Sequence, residues 1–138
     1  MKTIVLDSHP LLAYFEKEPQ WEAVAEVLQE ATEDKVHLAM TMINWGEIYY
    51  VTLREYGDQD AEQVLNAVKN MPIEIVEITR DLTLQAARFK AKGGLSYADC
   101  FSAALAKLKK GSELFTGDKE FRRVEDEIKI LWLKPKAV

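Results

Sequence analysis

Residues 93–110, GGLSYADCFSAALAKLKK, constrain the fold more than any other stretch of this chain. Gly93 and Gly94 interrupt the helical pattern before them, and Ser96 can cap a new helix by accepting a backbone N–H bond. On that helix Tyr97, Phe101, Ala104, Leu105 and Leu108 form one apolar stripe, the face expected to meet a core. The opposite face carries Asp99, Ser102, Ala103 and Ala106 in place of the Lys, Glu and Gln of a solvated surface. Small residues there predict that another element packs close, which leaves Asp99 in a confined place. Such an acid either answers the helix dipole, an effect of about 0.3–1 kcal/mol, or has a cation or a task.

Read in order, the chain alternates short apolar runs with helical patterns. Residues 2–6, KTIVL, read as a buried strand that stops at Asp7, where Asp7 or Ser8 can cap a helix and Pro10 suits its first turn. Pro19 breaks the chain before an amphipathic helix over 21–32, with Trp21, Val24, Ala25, Val27 and Leu28 inward. Residues 36–40 form a second strand, in which His37 serves a hydrogen bond, since no second His or Cys accompanies it. The next helix, 42–56, is apolar nearly all round and reads as buried, with Glu47 in its middle. An unpaired carboxylate there would cost several kcal/mol, so Glu47 is paired, with Arg54 as the candidate partner, or protonated, or liganded.

Gly57 ends that helix, and an amphipathic helix over 60–70 leads to Pro72 and a strand at 73–78 that reads as buried on both faces. Thr79 or Asp81 caps a helix over 82–92 whose apolar residues are Leu84, Ala87 and Phe89. After the central stretch, Gly111 stops the helix, 113–115 make a fourth strand, and a polar turn from Thr116 to Glu120 leads to a short helical turn at 121–124. Residues 128–133 are the last strand. Strands alternating with helices predict an α/β fold, a parallel sheet covered on both sides, in one domain spanning 1–138.

Composition narrows the function. With 48% hydrophobic and 30% charged residues the chain is an ordinary globular one, and no apolar run approaches the ~20 residues of a membrane-spanning helix. A single cysteine, Cys100, excludes an intramolecular disulfide and fits a reducing cytoplasm; beside Asp99 its thiol would be hard to ionise, so it reads as a small core residue. The net charge of −5 counts against non-specific nucleic-acid binding, which comes from neutralising phosphates. Any nucleic acid bound here needs a local basic rim or metal ions.

The acids converge once the strands are laid side by side. Asp7 and Asp118 follow strands, Asp99 begins a helix, and Glu47 sits in the helix after the second strand. If the first and fourth strands are neighbours, Asp7, Asp99 and Asp118 share one end of the sheet, where open α/β sheets bind ligands. Carboxylates crowded together without a Cys or His cluster are hard ligands suited to Mg²⁺ or Mn²⁺, ions that activate water and support displacement at phosphorus.

IVLDS before a Leu-rich helix, NWGEIYYV, LSYADCFSAALA and FTGDKEF, in this order and spacing, make the chain resemble the PIN-domain ribonucleases, and among them the VapC-type toxins of toxin–antitoxin pairs. The resemblance covers nearly the whole chain. It implies a PIN-like three-layer sandwich with a five-stranded parallel sheet, and metal-dependent cleavage of RNA phosphodiesters. It further implies a cognate antitoxin and a homodimer. By that resemblance Asp7, Glu47, Asp99 and Asp118 hold Mg²⁺ or Mn²⁺, Thr116 is the hydroxyl beside the last acid, and Glu120 is a supplementary carboxylate. His9 and Pro10 depart from the small or polar residues usual after the first acid. Lys92, Lys119, Arg122 and Arg123 are candidates for a rim that meets RNA phosphates, and Trp45, Tyr49 and Tyr50 for the border of a groove that takes a partner.

Two rivals stand beside this reading. A phosphotransferase with an Asp nucleophile, of the haloacid-dehalogenase kind, wants a second Asp two residues on, where this chain has His9. The other is a PIN scaffold that binds RNA or protein without cutting, against which the retention of all four acids argues.

Overall fold

A computed structural model describes residues 1–134. Five parallel strands form one sheet: β1 (Lys2–Leu6), β2 (Val36–Thr41), β3 (Ile73–Val76), β4 (Glu113–Thr116) and β5 (Ile130–Trp132), in the order β3-β2-β1-β4-β5. The helices are α1 (Ser8–Phe15), α2 (Trp21–Thr32), α3 (Met42–Tyr56), α4 (Asp58–Lys69), α5 (Arg80–Lys92) and α6 (Tyr97–Leu108), with a 3₁₀-helix at Lys119–Val124. The chain starts in the central strand and builds outward on each side. Val5 of β1 therefore lies against Ala39 of β2 and Leu114 of β4.

Side chains alternate across the sheet with the two-residue period of a strand, and this divides the core in two. Val5, Ala39 and Leu114 pack with Phe89 of α5 and with Cys100, Phe101 and Ala104 of α6. Ile4, Leu6, Leu38, Met40 and Phe115 point the other way, into Leu11, Val24, Val27, Ile48 and Val64 of the helices on the opposite face. The expected three-layer arrangement is the one observed.

Helix α6 is buried from Cys100 to Ala106 without interruption. Ala103, Ala104 and Ala106 let α5, the sheet and α3 approach from different sides, the close packing their small size predicts. Tyr97 and Leu108, assigned by periodicity to the core stripe, lie at the helix ends and are 47% exposed. The cap at Ser96 forms, its hydroxyl accepting from the Asp99 N–H at 3.2 Å, and Thr79 caps α5 in the same way through the Leu82 N–H.

Several expectations need correcting. Helix α3 is not buried all round: its buried stripe is Asn44, Ile48 and Thr52, while Met42, Ile43 and Tyr50 are 40–50% exposed. The inner positions are partly polar because Asn44 and Thr52 find partners there, Ala98 O and Ile48 O, which leaves apolar residues facing outward. Strand β3 is an edge strand, shorter than expected and only partly buried, because Pro72 and the chain order put it outermost. Leu84 is 57% exposed and Ala87 is exposed; Leu82, Ala86 and Phe89 hold α5 to the core. Strand β5 covers less of its expected span, since residues 125–127 turn and Ile128 enters the core before the strand begins.

Because no side of mid-α6 faces water, enlarging its small residues should be costly. Ala103→Leu is expected to lower stability by about 1–3 kcal/mol through overpacking, whereas Leu84→Ala on exposed α5 should change it by less than about 0.5 kcal/mol. Urea unfolding of both variants checks the contrast, and an unaffected Ala103→Leu would mean that α6 is not enclosed.

Candidate active site

Every strand of a parallel sheet ends on the same side, and the acids gather there. Asp7 follows β1, Glu47 lies in the second turn of α3 just after β2, and Asp99 is in the first turn of α6. One carboxylate oxygen from each of Asp7, Glu47 and Asp99 lies within 4.8 Å of the other two. Asp7 is 1% exposed and the other two are half-buried.

Hydrogen bonds aim these side chains. The Thr116 hydroxyl at the end of β4 donates to Asp7 Oδ2 at 2.9 Å and accepts the Asp118 N–H at 3.1 Å, so neighbouring strands fix the first acid together. The Ser8 hydroxyl donates to Glu47 Oε1 at 2.6 Å. Asn44, fully buried, donates from Nδ2 to the Ala98 carbonyl at 3.0 Å and so ties α3 to the start of α6, setting Glu47 against Asp99. Sequence reading missed the Ser8 and Asn44 links; a hydroxyl directly after an acid and a buried amide one turn before another were the available signals.

The capping explanations fall away. Asp7 occupies the N-cap position of α1, yet its side chain takes no cap bond, and the Ser8 hydroxyl is turned to Glu47. Ser96, not Asp99, caps α6. Arg54 does not pair with Glu47; it reaches Glu55 at 3.3 Å and lies over the Tyr50 ring.

Asp118 stands apart from the close trio. Its Oδ1 accepts the Glu120 N–H at 2.9 Å, capping the 3₁₀-helix, although its charge is still felt at Asp99. Thr116 acts on Asp7, and Glu120 adds a more distant repulsion at Asp99. Of the candidate rim, Lys92 is engaged by Glu127, while Lys119, Arg122 and Arg123 are exposed on the 3₁₀-helix. His37 pairs with Glu74, as a non-metal histidine should. Cys100 is buried and its thiol is pushed up by burial, consistent with a packing role.

The departure at His9 and Pro10 is absorbed locally. Pro10 falls in the first turn of α1, where its missing N–H has no helical partner to lose. The His9 ring covers Gly117, where a Cβ would come within 2.7 Å of it, so Gly117 provides room for an imidazole beside the Thr116 turn.

In this crowded, part-buried place Asp7 and Asp99 resist ionisation. Burial pushes the Asp7 carboxyl up to about 8, and the Asp99 charge adds to this, while the Thr116 hydrogen bond opposes it. Asp99 is pushed up to about 6 by burial, then by Asp118 and Glu47. Asp7 Oδ1 is buried with no hydrogen-bond partner. An orphaned buried oxygen within a trio of hard donors is what a small divalent cation would satisfy, so these residues fit Mg²⁺ or Mn²⁺.

A pH dependence follows. Both carboxyls bind protons more tightly when folded than at their unfolded values near 3.8. Their contribution to stability is therefore fully present below about 4 and is lost as pH rises through about 6 and about 8. In EDTA at pH 7.5, Asp99→Asn is expected to melt higher than wild type by roughly 2–4 °C, the shift that about 1 kcal/mol produces in a domain near this size. The difference should shrink by pH 5. Millimolar Mn²⁺ should raise the wild-type melting temperature and affect the variant much less. A variant that melts lower in EDTA, with both proteins indifferent to metal, would mean that no cluster of like charges exists.

Known proteins resemble this chain in sequence and in fold. A ribonuclease VapC from Mycolicibacterium smegmatis is 28% identical over 123 residues, covering 83% of this chain and 92% of that protein. VapBC2 from Rickettsia felis, solved bound to a DNA fragment from its promoter, superposes with a TM-score of 0.77 at 16% identity, over 96% of this chain and 99% of that one. VapC20 from Mycobacterium tuberculosis, a sarcin–ricin loop cleaving toxin, gives 0.70 at 16% identity, over 88% and 94%. These structural likenesses bear on the fold. The PIN domain model itself matches residues 4–127, a span that begins in the central strand and takes in every acid of the cluster, and the chain belongs to the PIN domain family.

Proposed function

We propose that this chain is a divalent-metal-dependent ribonuclease, the toxin of a toxin–antitoxin pair, acting in the cytoplasm. The observation that carries the reading is the meeting of Asp7, Glu47 and Asp99 around a buried, unpartnered Asp7 oxygen at the carboxyl end of the sheet. The likeness to a ribonuclease VapC over most of both chains supports it. Among the described residues no helix is long and apolar enough to cross a membrane.

In this reading Asp7, Glu47 and Asp99 hold Mg²⁺ or Mn²⁺, with Asp118 as a fourth acid at the edge. When bound, the ion supplies positive charge to the scissile phosphate and lowers the pKa of the attacking water. The protein does the rest by orientation. Thr116 keeps the Asp7 carboxylate turned into the site, Ser8 does the same for Glu47, and the Asn44 link holds α3 and α6 at a fixed separation. Asp118 and Glu120 raise the negative potential at Asp99 and so favour a cation there.

The acidic net charge is unevenly spread, which removes the objection raised by composition. Residues 1–79 carry 5 Lys and Arg against 15 Asp and Glu; residues 80–134 carry 12 against 8. RNA is therefore expected on the side built from α5, α6 and the 3₁₀-helix. The opposite helices offer a cavity of about 550 Å³ between α1, α3 and α4, where Leu12, Phe15, Tyr56 and Val64 stand beside Glu16, Asp60 and Gln63. This mixed cavity and, on another side of α3, the exposed Met42, Ile43 and Tyr50 fit the proposed partners, an antitoxin segment and a second copy of the chain.

Two tests follow. Asp7→Asn, Glu47→Gln, Asp99→Asn and Asp118→Asn should each abolish most Mn²⁺-dependent RNA cleavage, and Thr116→Val should lower it by about 10–100-fold as loss of an orienting partner. Asp81→Asn, on exposed α5, should not. Full activity in Asp99→Asn would remove Asp99 from the site and with it the acidic cluster as the seat of cleavage. For the partners, light scattering should find a dimer, and co-expression with the neighbouring reading frame should yield a complex. A monomer that ignores that product over a wide concentration range would contradict the toxin role.

A further inference from the structure

We propose that Arg123 is the residue that takes a backbone phosphate of the RNA beside the acidic cluster, held ready for it by Gly94 and Glu120. The inference rests on the ribonuclease reading and adds to it a substrate contact selected by geometry from several exposed cations.

The 3₁₀-helix makes the selection. With three residues per turn, positions i and i+3 eclipse one another, so Lys119–Val124 presents three separate ridges. Phe121 and Val124, 0% and 4% exposed, form the ridge that enters the core. Lys119 and Arg122 form a second. Glu120 and Arg123 form the third, and this one faces the site: Glu120 is close enough for its charge to act on Asp99, and Arg123 lies on Gly94, five residues before Asp99. A Cβ at Gly94 would fall 2.3 Å from Arg123 Cδ and 2.5 Å from Nε, so the far part of the side chain lies directly on this glycine, whose φ of +91° also favours glycine. The loop beneath it is fixed, since Lys90 Nζ donates to the Leu95 carbonyl at 2.9 Å and Asn44 to that of Ala98 at 3.0 Å.

The guanidinium is supported but not committed. Its Nε is 3.6 Å from Glu120 Oε2, too far for a hydrogen bond, and both side chains are more than half exposed. An ion pair of this kind contributes little and is readily exchanged. A phosphate offers more, because the planar fork of an arginine matches two phosphate oxygens at once. Glu120 then acts as a placeholder that keeps Arg123 from folding onto the Asp99 carboxylate. Lys92, by contrast, is already engaged by Glu127.

Affinity for a fluorescein-labelled single-stranded oligoribonucleotide, measured by anisotropy in an Asp99→Asn background, tests the assignment without cleavage. Arg123→Ala should weaken binding at least fivefold and reduce the slope of log Kd against log salt by about 0.7, the loss of one single-strand phosphate contact. Arg123→Lys should recover part of the affinity but not all of it. Lys110→Ala, which removes one charge at the far end of α6, should leave binding within twofold. In the cutting enzyme Arg123→Ala should raise KM more than it lowers kcat. Binding unchanged by Arg123→Ala, or weakened equally by Lys110→Ala, overturns the proposal. A wild-type protein that cuts no RNA in Mn²⁺ overturns the nuclease reading instead, and the two failures are read from different assays.

Discussion

The Asp7 carboxylate, buried at the end of the central strand, is the constraint on which the rest of the structure depends. It is 1% exposed, one oxygen has no partner, and burial, with the charge of Asp99 beside it, pushes the carboxyl up to about 8. Such a group is tolerated because everything around it is rigid. β1 has a strand on each side, Thr116 reaches across from β4, and two apolar cores clamp the sheet. A parallel sheet makes the position possible, since a residue just past a central strand is enclosed by the helices that follow its neighbours.

The other acids reach Asp7 by the same geometry and not by proximity in sequence. Each is carried on the element that leaves a strand beside β1 or packs across it; Glu47 is aimed by the Ser8 hydroxyl, and Asp99 is placed by the Ser96 cap and the Asn44 link. Those contacts are few and lie in the core or at its margin, so the site and the fold share their hydrogen bonds. Loss of Thr116 or Asn44 would disturb packing and chemistry together, which is why the tests of function pair such changes with Asp81 as an exposed acid outside the site.

Much of this was legible in the sequence. The strand endings at Asp7 and Asp118, the cap at Ser96 and the small residues on both sides of Asp99 announced a parallel sheet with an acid in a confined place. What periodicity could not tell was which apolar residues of α3 face water, because the pattern records side-chain type and not what the opposite side meets. Thr52 is satisfied within α3 by the Ile48 carbonyl one turn back, but Asn44 occupies an inner position because the Ala98 carbonyl awaits it there, and that partner is not encoded in the helix's own sequence. For the same reason the Glu47 partner was sought in Arg54, two turns along the same helix, when it is Ser8, from another element. The edge position of β3 and the room that Gly117 makes for His9 are likewise products of strand order, which local sequence does not contain.

The exposed residues of α3 bear on the chemistry because of where Glu47 sits. Ile43, Glu47 and Tyr50 are spaced by four and three residues and so share one side of the helix. Whatever covers Ile43 and Tyr50 therefore lies within a turn of a cluster carboxylate. Helix α3 is also the element that Asn44 fastens to the start of α6. The exposed Ile43 and Tyr50 and the buried Asn44 thus belong to one helix, and the Asn44 hydrogen bond is what connects its outer side to the start of the helix that carries Asp99.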